Sequence, residues 1–262
     1  MIARLVQCSS ASSPSRLPGL DRALNPYRGC EHSCAYCYAQ DVTRFEMTHP
    51  WGGCVEVKVN IVSKLKKELE RGNKGVYGLG TVTDPYQPLE RKRELTRGCL
   101  LLLRRAGASV SILTKSDLIL RDLDLLSGWD DVEVGVSVGI VDDRLASMIE
   151  PLASSPTKRF EVLRSLADSG ISTYLMAAPI IRGVSDSTES LSRLVAKAAD
   201  ADARRVIWDI YNPKPLADVR LRKALSAEGI ELRRHSPEEV LRIRSDLLRV
   251  ARRNGIKLED AF

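Results

Sequence analysis

Chemically capable residues in this 262-residue sequence crowd into one segment, Asn25 to Ala39, where Cys30, Cys34 and Cys37 fall in a C-x3-C-x2-C spacing. Three thiolates on one short loop can ligate three irons of a cubane, and soft sulfur suits iron. No fourth cysteine lies nearby, so one iron would keep a position open for a substrate or cofactor, as a catalytic zinc does. The alternative is a zinc site completed by His32 or a distant cysteine. Zinc usually pairs its cysteines as two C-x2–4-C knuckles, and there is no second knuckle here. Arg28, Glu31, His32 and Ser33 make the loop too polar for inert, buried cysteines. Cys8, Cys54 and Cys99 are dispersed, and crowding of the other three reads as metal binding rather than disulfide bonding.

The rest of the chain must position that loop. At 44% hydrophobic and 28% charged, its composition is that of an ordinary globular protein. No run approaches the roughly 18 to 20 apolar residues of a membrane span, and none is expected. Residues 1–13 lack the apolar stretch of a secretory signal, so a cytoplasmic location is expected. Residues 1–20 form an expected extended N-terminal lead-in, poorly ordered over its Ser/Pro-rich part, ahead of one domain at 21–262. In that domain, strands are expected at 55–59, 76–82, 109–114, 132–138, 172–177 and 205–210, with a short one over 24–28 leading into Cys30. Helices are expected at 61–71, 89–106, 118–126, 156–168, 187–199 and 237–253, most ending near a glycine. Such alternation implies an α/β fold with a parallel sheet, either curled into a barrel or open and doubly wound. In both forms chemistry gathers at the carboxyl ends of the strands.

C-x3-C-x-aromatic-C resembles the motif of the radical S-adenosylmethionine (SAM) superfamily. The longer string Asn-Pro-Tyr-Arg-Gly-Cys-Glu-His-x-Cys-x-Tyr-Cys-Tyr-Ala is similar to its branch related to spore photoproduct lyase, and Thr83-Asp84-Pro85-Tyr86-Gln87-Pro88-Leu89-Glu90 matches that branch's T-D-P-Y-Q-P-x-E. The similarity runs from about Leu24 to beyond Asn212. It implies a partial (β/α)6 TIM-like barrel, a [4Fe-4S] cluster on Cys30, Cys34 and Cys37, and SAM on the open iron. Reductive cleavage of SAM would give a 5′-deoxyadenosyl radical for hydrogen abstraction. An electron donor such as ferredoxin or flavodoxin is implied as a partner.

By the same resemblance Thr83, Asp84, Lys115 and Ser137 hold SAM, and Tyr36 meets its adenine. A hydroxyl and a carboxylate at a strand end suit an amine and a ribose, and lysine suits a carboxylate as a compact cation. The plainer roles are helix capping for Thr83 and Asp84, and a surface charge for Lys115. Pro179 to Gly183 would pack near the adenine, Gly170 and Gly183 would serve turns, and Arg159 would be exposed or paired with Glu150. His32, His49 and His235 offer no obvious catalytic base, and Ser236 is an expected helix cap.

One position departs from the branch. The hydrogen-donating cysteine expected three residues before the strand-end aspartate is Thr81 here, and its O–H bond is too strong to quench a carbon radical as a thiol does. Lesion repair by a spore photoproduct lyase-like relay is therefore one alternative rather than the leading expectation. A net charge of +6 and the relatives favour a nucleic-acid substrate, with a small metabolite or peptide as competitor. A non-catalytic nucleic-acid-binding protein with a structural metal centre is the alternative from another class.

Overall fold

The computed structural model describes residues 1–43, 45 and 49–261. The chain begins with β1 (Ile2–Val6), β2 (Ser12–Pro14), β3 (Arg22–Leu24) and β4 (Tyr27–Arg28). The cysteine loop follows and leads into α1 (Ala39–Thr43), β5 (Cys54–Lys58) and α2 (Ile61–Glu70). Next come β6 (Val76–Leu79), α3 (Glu90–Arg93), α4 (Leu95–Arg105) and β7 (Ser109–Thr114). A 3₁₀ helix (Asp117–Asp122) runs into α5 (Leu123–Leu126), then β8 (Val132–Ser137), α6 (Asp143–Ile149) and α7 (Pro156–Asp168). The chain continues through β9 (Ser172–Ile180), α8 (Thr188–Asp200), β10 (Arg205–Ile210), α9 (Pro215–Ser226), α10 (Pro237–Arg253) and β11 (Lys257–Asp260).

Eight strands form one sheet in the order β11-β10-β9-β8-β7-β6-β3-β2. From β3 to β11 every pairing is parallel, and β2 alone runs antiparallel, along β3. The ends, β2 and β11, do not pair with each other. This is the expected α/β partial barrel, open between its first and last strands.

Alternation along the strands separates two environments. On β7, Val110 and Ile112 point outward into the core, while Ser109, Ser111 and Leu113 line the barrel interior. On β10, Val206 and Trp208 are buried, and Arg205, Ile207 and Asp209 face inward. Helices close the outer face. α7 buries Phe160, Val162, Leu163 and Leu166, and α8 buries Leu191, Leu194 and Val195 beside Ile243 and Leu247 of α10. Each such side chain contributes about 1.5–3 kcal/mol on burial. Ser155 and Ser236 cap α7 and α10, the latter in a full capping box with Glu239.

The departures from the expected elements have local causes. The strand at 76–82 stops at Leu79, because Gly80 takes φ +92° and a Cβ there would lie 2.2 Å from Leu113 O. The single helix expected at 89–106 is two, broken at Glu94 in the left-handed region (φ 52°). The Glu90 carboxylate accepts from Thr96 N at 3.1 Å and so caps the new N-terminus from within the chain. The 118–126 segment is mostly 3₁₀. β5 leaves the main sheet altogether and sits between β1 and β4. The Ser/Pro-rich start supplies β2, held by Glu68, which accepts from Ala11 N at 2.7 Å and Ser12 Oγ at 2.6 Å. Among the described residues, no helix is long and apolar enough to cross a membrane.

Candidate active site

The cysteine loop is gripped from several sides. Before Cys30, Gly29 takes φ +86° with Cys54 O only 2.8 Å from where a Cβ would stand, so this turn excludes a side chain. Gly29 O accepts from Thr83 Oγ1 at 2.6 Å. Gln87, fully buried, donates to Thr83 Oγ1 at 3.0 Å and accepts from Glu31 N at 2.9 Å. Glu31 in turn accepts from Leu89 N. Ser33, at φ 55°, donates to Trp51 O, and Arg220 of α9 donates to Cys37 O at 2.6 Å. The T-D-P-Y-Q-P-x-E segment thus clasps the loop through its backbone and short polar side chains.

Cys30 and Cys34 are buried and Cys37 is half-buried, all on the wall of one cavity. Burial pushes the three thiols up. The Asp84 N–H points at the Cys30 sulfur, and the Ala39 N–H at that of Cys37. Bare thiolates would be costly here, whereas a metal deprotonates a coordinating thiol outright. Donated N–H···S bonds also tune iron–sulfur potentials. This donor set fits a cluster. Among the described residues, no three or more His, Cys, Asp or Glu side chains converge on a point suited to a single metal ion.

The cavity measures about 810 Å³ and brings together all the residues expected from the sequence: Cys30, Cys34, Tyr36, Cys37, Thr83, Asp84, Lys115 and Ser137. Their hydrogen bonds differ in kind. Asp84 is saturated: it accepts from Thr114 Oγ1 at 2.7 Å, Tyr86 N at 2.8 Å and Lys115 N at 2.8 Å, and His32 Nδ1 stands 3.3 Å away. Burial alone would raise this carboxyl, but His32 and these donors outweigh it and hold it down at about 2. Lys115 is the opposite case. Its Nζ lies 5.6 Å from the Tyr36 ring centre, and no carboxylate is within ion-pairing distance among the described residues. Ser137 Oγ donates to Ala178 O at 3.3 Å.

Sequence reasoning undervalued two groups. His32 is almost fully buried against Asp84 rather than idle. Glu150 and Arg159 form a buried ion pair, with Tyr36 donating to the same carboxylate and Arg159 Nη1 donating to Ser137 O at 2.7 Å. That network joins the cysteine loop to β8. Gln87 and Glu31 sit inside the two quoted motifs, and that position was their only sequence signal.

A family model described as the radical SAM superfamily matches residues 24–195. The chain belongs to the radical SAM superfamily. Members of the superfamily are enzymes, and membership implies an iron–sulfur cluster and SAM. Among curated relatives, an uncharacterized protein of Methanocaldococcus jannaschii is 35% identical over 181 residues, which cover 69% of this chain and 68% of the relative. Another, of Mycobacterium tuberculosis, is 34% identical over 191 residues, 70% of this chain but only 56% of the relative. The chain therefore spans little more than half of the mycobacterial protein. A solved structure, spore photoproduct lyase complexed with dinucleoside spore photoproduct, superposes with a TM-score of 0.74 over 99% of this chain and 82% of the lyase, at 16% identity. A double mutant of that lyase with bound AdoMet and the same dinucleoside gives 0.72 over 98% and 81%, also at 16% identity. Identity this low establishes a shared radical SAM fold and leaves substrate open.

Proposed function

We propose that the chain holds a [4Fe-4S] cluster on Cys30, Cys34 and Cys37, binds SAM beside it, and directs hydrogen abstraction at a substrate, with a nucleic acid as the leading class. The observation that carries this reading is the meeting on one cavity, at the carboxyl ends of the strands, of three loop cysteines and a Lys115 with no ion-pair partner among the described residues. Such a cluster, given an electron, supplies the chemistry that splits SAM into methionine and a 5′-deoxyadenosyl radical.

The chain's own residues bind and orient. Lys115 offers its ammonium to the SAM carboxylate, and Ser137 offers a hydroxyl to the ribose. Tyr36 flanks the adenine with its ring, held in place by its hydrogen bond to Glu150. Thr83 and Asp84 line the same space. Their present bonds to Gly29 O, His32 and Lys115 N give them a positioning part, keeping loop and strand ends in register. The net charge of +6 and the dinucleoside in the similar lyase structures support the nucleic-acid class. Thr81 Oγ1 accepts from Asn25 Nδ2 at 2.7 Å. With an oxygen at that position, hydrogen return must differ from a thiol relay.

The test is anaerobic reconstitution with iron and sulfide, then reductant and SAM, with 5′-deoxyadenosine quantified. Formation that depends on Cys34, absent in Cys34→Ala, is expected. Equal formation by Cys34→Ala, or none from wild type with several reductants, would overturn the reading.

A further inference from the structure

The electron that the proposed chemistry requires must come from outside the chamber, whose interior the reading above gives to SAM. Two flanks of the cysteine loop are closed. Beside Cys30 the 83–89 segment covers it, with Thr83 Oγ1 donating to Gly29 O at 2.6 Å and Glu31 accepting from Leu89 N. Beside Cys34, Ile149 O of α6 accepts from Ala35 N at 2.7 Å. Cys37 is the half-buried member of the three, and α9 forms its flank. Arg220 reaches from α9 to Cys37 O at 2.6 Å and also donates to Gln40. Leu221 and Leu225 of α9 pack in one cluster with Ala35 and Tyr36 of the loop. On this side a single helix, about 10–12 Å across with its side chains, separates the cysteine loop from bulk water.

The outer face of that helix has the makeup of a small contact surface. At 3.6 residues per turn, Leu216, Val219 and Lys223 share the side opposite the buried Ala217, Leu221 and Leu225, with Arg220 at its edge. Leu216 is 47% and Val219 68% exposed. Val42 of α1, next to the Asp41 that caps α9, is 50% exposed. Single exposed aliphatic side chains are ordinary, but three on two packed helices make a patch. Lys214 and Lys223 border it, both exposed and neither in an ion pair among the described residues. The nearby carboxylates are engaged elsewhere: Asp218 with Arg222 at 2.7 Å, Glu228 with Arg144 at 2.6 Å, and Asp41 with Leu216 N at 2.9 Å. An apolar centre with a cationic rim complements a partner whose own apolar patch is ringed by carboxylates.

We propose that the outer face of α9, centred on Leu216 and Val219 and rimmed by Lys214 and Lys223, is the docking surface for a small acidic electron-transfer protein. The proposal rests on the function proposed above, because only a reducible cluster on the three cysteines gives such a partner something to reduce. One electron leaves the reduced partner, which is thereby oxidised, and enters the oxidised cluster; no atom crosses the interface. One helix face and part of α1 suit the small contacts, below about 1,200 Å², of transient redox encounters. Rim charge then governs mainly the encounter rate and its salt dependence, and the aliphatic centre governs how long the partner stays.

Reduced flavodoxin, an acidic one-electron carrier, is the probe, and dithionite is the control reductant that needs no docking. The variants are Val219→Glu and the double variant Lys214→Glu with Lys223→Glu. In the anaerobically reconstituted full chain, each is expected to need about tenfold or more flavodoxin for half-maximal 5′-deoxyadenosine formation, with dithionite-driven formation at the wild-type rate. Calorimetric titration of flavodoxin into the same chains, before and after reconstitution, is expected to show a matching loss of affinity. Raising salt from about 50 to 500 mM is expected to weaken binding by wild type more than by the lysine double variant. Wild-type behaviour of both variants, no flavodoxin binding by the wild type, or binding indifferent to salt overturns the proposal. So does loss of dithionite-driven formation in both variants, which would assign them a structural effect. Binding of a single-stranded oligonucleotide, or of a second copy of the chain, that the lysine double variant loses would give the face to another occupant and also overturn it. Failure of the wild type with dithionite sinks the radical reading, whereas success with dithionite and failure with flavodoxin sinks the docking surface alone.

Discussion

His32 Nδ1 stands 3.3 Å from the Asp84 carboxylate, tying a residue between two of the cysteines to the loop that follows β6. Asp84 also gathers Thr114 and the N–H groups of Tyr86 and Lys115, so one carboxylate fixes the ends of β6 and β7 and the cysteine loop together. In Asp84→Ala these buried donors lose their acceptor. At about 1–3 kcal/mol for each unsatisfied group, a loss of about 3 kcal/mol or more is expected, read by urea denaturation of the protein before cluster reconstitution. A change below about 1 kcal/mol would mean that water reaches the donors and the clasp is not structural.

Gln87 acts on the loop without touching a sulfur. Gln87→Ala removes the bonds to Thr83 and Glu31 N, while Gln87→Glu keeps an acceptor for Glu31 N but loses the donor. Partners that orient ligands typically affect metal affinity about 10- to 100-fold. Iron and sulfide retained after dialysis against a chelator should therefore fall in the order wild type, Gln87→Glu, Gln87→Ala. Equal retention in all three would show that the loop is set by its glycine turn alone.

The Arg159–Glu150 pair is buried with Tyr36 as its third member. Removing one charge strands the other, at a cost of about 3–5 kcal/mol. Arg159→Met should destabilise by that amount, and adding Glu150→Gln should restore part of it, because the stranded carboxylate is then gone. A double mutant as unstable as the single one would assign the loss to packing. Chemical denaturation of the two single variants and the double completes the cycle.

Asp186 links the end of β9 to the segment before α10. Burial would raise its carboxyl, but the His235 imidazole, with Nε2 3.3 Å away, and the hydrogen bond from the Gly183 N–H outweigh this and lower it. The folded value is thus below the unfolded one, near 3.9 for a free aspartate. Its stabilising contribution is complete above that value and is lost as pH falls through the lower folded value. The melting-temperature gap between wild type and Asp186→Asn should be wide at pH 6 and narrow below about pH 3.5. A gap independent of pH would show that the carboxylate's charge is not what matters.

The distribution of legible and illegible elements follows from where their stabilising partners lie. Helices capped from within were readable: Ser155 before α7 and Ser236 with Glu239 before α10 stand next to the helices they start. α9 was not, because its exposed N–H groups are met by Asp41, which accepts from Leu216 N at 2.9 Å across 175 residues of sequence. The break at Glu94 was hidden for a similar reason, since Glu90 caps α4 only once the chain has turned.

Read alone, the amino-acid order was enough for the family, the parallel α/β alternation and the three cysteines, because ligand spacing and strand and helix periods are local properties of a chain. The division of labour inside the cavity needed the fold. That Asp84 is saturated while Lys115 has no ion-pair partner among the described residues depends on which strand ends become neighbours when the sheet curls. Hydrogen bonds such as Tyr36 to Glu150, 114 residues apart, are contacts of the tertiary structure, and only short-range geometry can be written into neighbouring residues.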